Sequence, residues 1–315
     1  MKVLVTGAGG FIGSRLVDLL VSRGRIGAQA VTGLALADQR LPLVPKGAVA
    51  LEGELGSPEA LTRVASFGPD VIFHLAAMPG GAAEADYALG RRVNLDMTLA
   101  LFETLACRER PPVVVYASTI AVYGTALPDL VSDATPLRPP LTYGAHKLVC
   151  EILLADFTRR GLLDGRSLRL PGIVARPRAP AGLASAFMSD LLHALAAGER
   201  YICPVGPEAT AWWMSAWRCA DNMLHGAAMN VSNADPGRAW TLPVLRLSIA
   251  QIVNTLATLY GDDRRELVTY EPKPQLEAVF GRYPVLDDGA ARALGLSDDG
   301  TPEALVRRAL ETHRE

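Results

Sequence analysis

Several things are scarce in this sequence. There is no basic excess: 31 lysines and arginines stand against 33 acidic side chains, for a formal charge of −2. Nothing neutralises a phosphate backbone, so nucleic acid is not expected as a partner. Aromatic residues make up 6%, too few for a base-stacking surface. The cysteines at 107, 150, 203 and 219 show no C-x-x-C spacing, and four in 315 residues do not make a disulfide framework. Reduced thiols in a cytoplasmic protein are expected. Histidines 74, 146, 193, 225 and 313 do not cluster with those cysteines, so no metal site is expected. No apolar run approaches transmembrane length, and the first residues lack the pattern of a signal peptide, so no membrane partner is expected either. Lysine is scarce, with four of the 31 basic residues; beside so much alanine and glycine this reads as composition bias.

Half of the residues are hydrophobic, enough for a substantial core. The first half alternates apolar strands with amphipathic helices. Strands are predicted over residues 2–6, 30–37, 49–51, 71–75, 113–117 and 167–170, and helices over 11–22, 58–66, 83–107 and 143–160. Ser57 and Pro58 mark the second helix start as N-cap and first residue. This rhythm predicts an α/β fold with a doubly wound parallel sheet, a Rossmann arrangement. Beyond residue 171, prolines 171, 177, 180, 204 and 207 break the rhythm. A smaller mixed α/β lobe is expected from residues 171–209 plus about 240–315. The chain is expected to return to the main sheet near 210–232, so the main domain would comprise 1–170 plus about 210–239.

The segment Thr6-Gly7-Ala8-Gly9-Gly10-Phe11-Ile12-Gly13 joins the first strand to the first helix. Gly7 permits a tight turn, Gly10 lets the backbone approach a pyrophosphate, and Gly13 lets helix and strand pack closely. The helix N-terminus adds free N–H groups and a positive dipole end. Asp38, at the end of the second strand, suits the adenosine ribose hydroxyls and repels a 2′-phosphate, which favours NAD over NADP. Arg40, two residues on, is the feature that would suit NADP. Glu54-Leu55 after the third strand is expected near the adenine, and Leu75-Ala76-Ala77 after the fourth along the cofactor. His74 reads as a packed strand residue.

Strand five runs into Ala117-Ser118-Thr119, and the following helix opens with Tyr143-Gly144-Ala145-His146-Lys147. Tyr143 and Lys147 lie one helical turn apart on one face. A tyrosine titrates near 10, so acting as a base near neutrality requires a fall of about 2–3 units. A neighbouring ammonium and a cationic nicotinamide would provide it in a sheltered site. A strand-five hydroxyl would hold the substrate oxygen.

These segments together resemble an extended short-chain dehydrogenase/reductase of the epimerase/dehydratase branch. The resemblance rests on TGAGGFIG at 6–13, HLAA at 74–77, RVNLDMT at 92–98 with Asn94, ASTIAVYG at 117–124 and YGAHK at 143–147. It implies Tyr143 as general base, Lys147 on the nicotinamide ribose, Thr119 as the catalytic hydroxyl with Ser118 beside it, and Pro171 and Ile173 flanking the nicotinamide. It also implies a homodimer through the two long helices around strand five.

Later segments, including 154–161, 168–177 and 197–205, are similar to the D-erythronate dehydrogenase subgroup. Thr119 stands where that subgroup usually has serine, and Glu54 where aspartate is common. That likeness implies NAD-dependent oxidation of the 2-hydroxyl of a small sugar acid. Its carboxylate needs a cation, and Arg178 and Arg218 are the candidates. Ser185 and the Met78-Pro79-Gly80-Gly81 loop are candidates for the hydroxyls. Trp212, Trp213 and Trp217 read as packing residues. The alternative is a nucleotide-sugar epimerase or dehydratase; a non-catalytic NAD sensor would not need Ser118, Thr119, Tyr143 and Lys147 together.

Overall fold

Short segments, most of them apolar and in the middle of the sheet buried on both faces, stack side by side. The computed structural model describes residues 1–178 and 185–311; Pro180 and His313 lie outside the described residues. The main sheet comprises β1 (Lys2–Thr6), β2 (Gly33–Asp38), β3 (Val49–Glu52), β4 (Val71–His74), β5 (Val113–Thr119), β6 (Asp164–Leu170) and β7 (Ala239–Thr241). Their order is β7-β6-β5-β4-β1-β2-β3, and every neighbouring pair is parallel. The chain winds outward one way from β1 and then the other from β4. A crevice opens where that order reverses, above the carboxyl ends of the strands.

Each face carries its own core. Val3, Val5, Phe73 and Val115 pack with Leu16 and Leu20 of the helix Phe11–Arg23 and Cys219 and Met223 of the helix Ala216–Ala228. Leu4, Ile72, Val114 and Tyr116 pack on the other side with Leu101, Phe102 and Leu154. Ser57 caps the helix Pro58–Phe67, its side chain accepting from the Ala60 amide.

The expected helix over 83–107 is divided. It runs as Gly80–Ala85, Tyr87–Arg91, a π-helical turn Arg92–Asp96, and Met97–Ala106. Asp86 breaks it first, because its carboxylate accepts from the Leu89 amide and starts a new helix. At the π turn, the Asn94 carbonyl accepts from Thr98 Oγ1 at 3.0 Å and Cys150 Sγ at 3.4 Å. The second predicted strand also starts later, since Arg25–Ile26 and Gln29–Ala30 form a small antiparallel hairpin.

Within the expected return near 210–232, the helix Ala216–Ala228 packs on the main sheet, and the chain joins the sheet itself as a strand at Ala239–Thr241. Thr210–Ser215 belongs to a separate three-stranded sheet, parallel to Gly172–Val174 and antiparallel to Leu245–Ser248. Ala211 and Trp213 of this strand meet a different core, built with Leu191, Leu195, Ile252 and Leu256. The tryptophans pack: Trp212 and Trp213 are buried and donate to the carbonyls of Pro284 and Leu247, and the Trp217 ring lies under Arg15. Among the described residues, no helix is long and apolar enough to cross a membrane.

Candidate active site

Gly7 ends β1 with φ +70 and donates its amide to Ala37 O at 2.8 Å. A Cβ at Gly7 would lie 2.8 Å from the Ala76 nitrogen, and one at Gly13 would lie 2.0 Å from Gly7 O. The turn is therefore pressed against the end of β4 and against its own helix, and only glycine fits at either position. The helix Phe11–Arg23 has Gly10 at its N-cap with no side-chain cap, so first-turn N–H groups remain available to a ligand.

These glycines open into a cavity of about 240 Å³. It is lined by Gly7, Gly10, Phe11, Ile12, Gly13, Leu75, Ala77, Pro79, Ala117, Ser118, Thr119, Tyr143, Lys147, Leu170, Pro171, Ile173 and Arg176. The glycine turn, the end of β5 and the start of the helix Thr142–Arg159 thus meet in one place. A glycine cradle that a Cβ would fill, beside an uncapped helix end, fits a dinucleotide diphosphate.

Asp38 reaches back to the turn, its Oδ2 accepting from the Gly9 amide at 2.9 Å. Asn94 is buried and holds Met78 at both ends: Oδ1 accepts from the Met78 amide at 2.7 Å, and Nδ2 donates to the Met78 carbonyl at 3.0 Å. Asn94 therefore fixes the loop leading to Pro79 and does not line the cavity. Neither Ala76, Glu54 nor Leu55 lines it. Ala76 backs the turn, Glu54 pairs with Arg92 at 3.3 Å, and Leu55 sits in the core.

The two β5 hydroxyls have different surroundings. Ser118 donates to Glu151, which is also held by Arg169 at 2.8 Å. Arg169 continues to the Tyr123 hydroxyl at 3.0 Å, and Tyr123 meets Thr241 Oγ1 at 2.7 Å. This buried chain ties β5, β6, β7 and the helix Thr142–Arg159 together. Thr119 instead shares the cavity lining with Tyr143 and helps to hold its pKa down, while its Oγ1 accepts from the Ala121 amide.

Burial pushes the Tyr143 hydroxyl above its ordinary pKa, and the Arg176 guanidinium and Thr119 pull it the other way. Lys147 is buried and donates to the Ala117 carbonyl at 2.8 Å. Its ammonium lies 4.6 Å from the Tyr116 ring centre and 5.8 Å from that of Tyr143. Burial lowers Lys147 to about 8, against the opposing effects of Cys150 and Glu151. The cation that pulls Tyr143 down in the protein alone is thus Arg176 rather than the lysine one turn away.

The proposed carboxylate binders fall elsewhere. Arg178 forms an exposed ion pair with Glu199 at 2.7 Å. Arg218 contacts Ser297 Oγ at 3.2 Å, and neither arginine lines the cavity. Ser185 occupies the N-cap position of the helix Ala186–Ala196, also away from the cavity lining. Of the Met78–Gly81 loop, Pro79 lines the cavity, and a Cβ at Gly80 would sit 3.7 Å from that of Tyr143. Arg176 was not singled out from sequence. Its one local signal is its place just beyond strand six, where the chain passes over the crevice.

Residues 3–213 match the NAD dependent epimerase/dehydratase family. A D-erythronate dehydrogenase of Cupriavidus necator is 36% identical, with 99% of this chain and 98% of that protein aligned. One of Haemophilus influenzae is 31% identical over 99% of each. A solved structure from Agrobacterium tumefaciens, described as a nucleoside-diphosphate-sugar epimerase, superposes with a TM-score of 0.91 at 32% identity, covering 98% of this chain and 92% of that one. With the glycine turn, the parallel sheet and the Tyr143–Lys147 pair in place, the chain belongs to the NAD dependent epimerase/dehydratase family, as an NAD-dependent oxidoreductase of the extended short-chain dehydrogenase/reductase type.

Proposed function

We propose that this protein oxidises the 2-hydroxyl of a small sugar acid, D-erythronate to 2-dehydro-D-erythronate, with reduction of NAD. The observation that carries this reading is that Tyr143, Lys147 and Thr119 line one cavity with the glycine turn. Full-length similarity to two D-erythronate dehydrogenases supports the substrate class. The turn at Gly7–Gly13 would hold the diphosphate, Asp38 the adenosine ribose, and Lys147 the nicotinamide ribose. Leu75, Ala77, Pro171 and Ile173 would flank the nicotinamide ring. An oxidised nicotinamide supplies, when bound, a hydride acceptor and a positive charge.

The chain's own residues do the rest. Thr119 holds the 2-hydroxyl oxygen by a hydrogen bond. The Tyr143 oxygen takes the proton from that hydroxyl as C2 becomes a carbonyl. Lys147, anchored on the Ala117 carbonyl, keeps a positive charge beside the phenolate. The second reading is a nucleotide-sugar epimerase, favoured by the Agrobacterium structure.

One experiment separates them. Purified protein is mixed with NAD and a panel of C4 to C6 aldonates, aldoses and UDP-sugars, and NADH absorbance and sugar products are followed. Net NADH with D-erythronate is expected. Turnover of a UDP-sugar with no net NADH from any acid would establish the epimerase instead. Tyr143→Phe is expected to lower the rate by about 10²–10⁴-fold while NAD still binds; retained activity refutes the base assignment. The family resemblance also implies a homodimer. Val149 and Ile152 stay exposed on the helix Thr142–Arg159, and light scattering of the purified protein is the measurement for it.

A further inference from the structure

Among the described residues, Arg176 is the one arginine in the cavity lining. Its backbone is fixed at both ends of the peptide unit: the amide donates to Ser189 Oγ at 2.9 Å, and the carbonyl lies 2.8 Å from His193 Nε2. Both partners are on the helix Ala186–Ala196 of the smaller lobe. From there the side chain crosses to the glycine turn, with its guanidinium 5.3 Å from the Phe11 ring centre. Among the described residues no carboxylate pairs with it; the acidic groups acting on it are the Tyr143 hydroxyl and the Cys219 thiol. Arg178 and Arg308, by contrast, have a carboxylate each, in Glu199 and Asp299. A half-buried guanidinium without one, stacked on a ring and open to a cavity, is set up to receive an anion.

The place of that anion follows from the reaction. In a 2-hydroxy acid the carboxylate carbon is bonded directly to the carbon that is oxidised, about 1.5 Å away. When the 2-hydroxyl rests against Thr119 and Tyr143, the carboxylate must lie immediately beside them. The cation that receives it must therefore act on Tyr143 as well, and among the cavity arginines and lysines Arg176 does so. Lys147 has one of its donors on the Ala117 carbonyl and lies beneath Tyr143. The guanidinium lies over the Phe11 ring, and a guanidinium can make a two-point contact with a carboxylate.

We propose that Arg176 is the substrate-binding residue that receives the carboxylate of the sugar acid, and so makes the enzyme choose acids over neutral polyols. This rests on the sugar-acid reading above. Arg178 and Arg218 have no part in it. A single side chain would thus bring the smaller lobe, the glycine turn and the catalytic tyrosine together around one substrate.

The test compares D-erythronate with its neutral amide, D-erythronamide, in the wild type, Arg176→Gln and Arg176→Lys. The wild type is expected to prefer the acid. In Arg176→Gln, kcat/KM for the acid should fall by about 10²–10³-fold more than kcat/KM for the amide, which loses only the positive charge beside Tyr143, and the KM for NAD should stay within about twofold. Arg176→Lys keeps the charge without the fork and should retain an intermediate preference; it also guards against a folding defect in the glutamine variant. An unchanged acid-to-amide ratio overturns the proposal. So does a rise in the KM for NAD with the ratio preserved, which would place the guanidinium on the dinucleotide diphosphate. Calorimetric titration of D-erythronate into the enzyme with NADH keeps the two readings apart. Binding that depends on Arg176 without any turnover leaves the carboxylate site standing and removes the reaction; no binding and no turnover remove both.

Discussion

Ser118 and Thr119 are adjacent on β5, yet the Ser118 hydroxyl is bound to Glu151 while Thr119 helps to hold the Tyr143 pKa down. Alternation along the strand sends the two side chains to opposite faces. Ser118 is therefore tied to the buried ion pair of Glu151 and Arg169, and Thr119 is left as the hydroxyl that the proposed reaction uses. Thr119→Ala should lower kcat by about 10²-fold with little change in stability. Ser118→Ala should cost about 1–2 kcal/mol of stability and leave kcat within about tenfold, because Glu151 keeps Arg169 as a partner. Steady-state rates and urea unfolding of both variants check this. The reverse ranking of the two rates would show that Ser118 is the working hydroxyl.

His74 adds a pH dependence to the fold. It is fully buried, with Nδ1 2.7 Å from Thr6 Oγ1 and Nε2 2.9 Å from Thr98 Oγ1. Burial, helped by nearby Lys147, lowers its pKa from 6.5 to about 3. The unfolded chain therefore takes up a proton between pH 6.5 and 3 that the folded chain refuses. The stability from a neutral His74 is complete above pH 6.5 and drains away as the pH falls towards 3. Between pH 7 and pH 5 the wild type should lose about 2 kcal/mol more than His74→Gln, which does not titrate. Urea midpoints at the two pH values measure this, and equal losses would show that His74 is already protonated or exposed.

Much of the scaffold is legible in the sequence because its signals are local. Val3-Leu4-Val5, Val71-Ile72-Phe73 and Val113-Val114-Val115 are continuous apolar runs bounded by turns, and a strand buried on both faces needs little else. Gly7 and Gly13 are also local, since their constraint comes from a neighbouring turn of chain. What depends on distant partners is hidden. The segmented helix keeps its apolar period through Val93, Met97 and Leu101, but the π turn is supported by Cys150 from another helix. Ala-Trp-Thr at 239–241 is too short to announce a strand, and it becomes one by adding to the edge of β6. Arg176 looks like any other arginine until Ser189, His193 and Phe11 fix where it points.

On the proposed reading, Asp38 sets the choice of cofactor. Its Oδ2 accepts from the Gly9 amide and Oδ1 from the Gln39 amide, at 2.9 Å and 2.7 Å. These contacts hold the carboxylate at the end of β2, where a 2′-phosphate would meet like charge. Asp38→Ala should shift the NAD to NADP ratio of kcat/KM towards NADP by about tenfold or more, a change of at least ~1.4 kcal/mol. Parallel assays with the two dinucleotides read it directly. An unchanged ratio would mean that the ribose lies away from Asp38.

Gly13 and Gly24 bracket the same helix and tolerate a methyl group very differently. A Cβ on Gly13 would lie 2.0 Å from Gly7 O, 2.8 Å from Gly7 C and 2.9 Å from Ala8 Cα. All three are backbone atoms of the turn, so no rotamer relieves the clash, and the turn itself must move. A Cβ on Gly24 meets nothing within 4 Å, although its φ of +61 is the left-handed form that ends the helix. Gly24→Ala should therefore cost about 1 kcal/mol of stability and leave NAD affinity unchanged. Gly13→Ala should abolish NAD binding, either because the turn is displaced or because the helix no longer docks on β1. Fluorescence titration with NADH, paired with thermal unfolding, distinguishes these outcomes. A Gly13→Ala protein that binds NADH normally would show that the diphosphate does not rest on this turn.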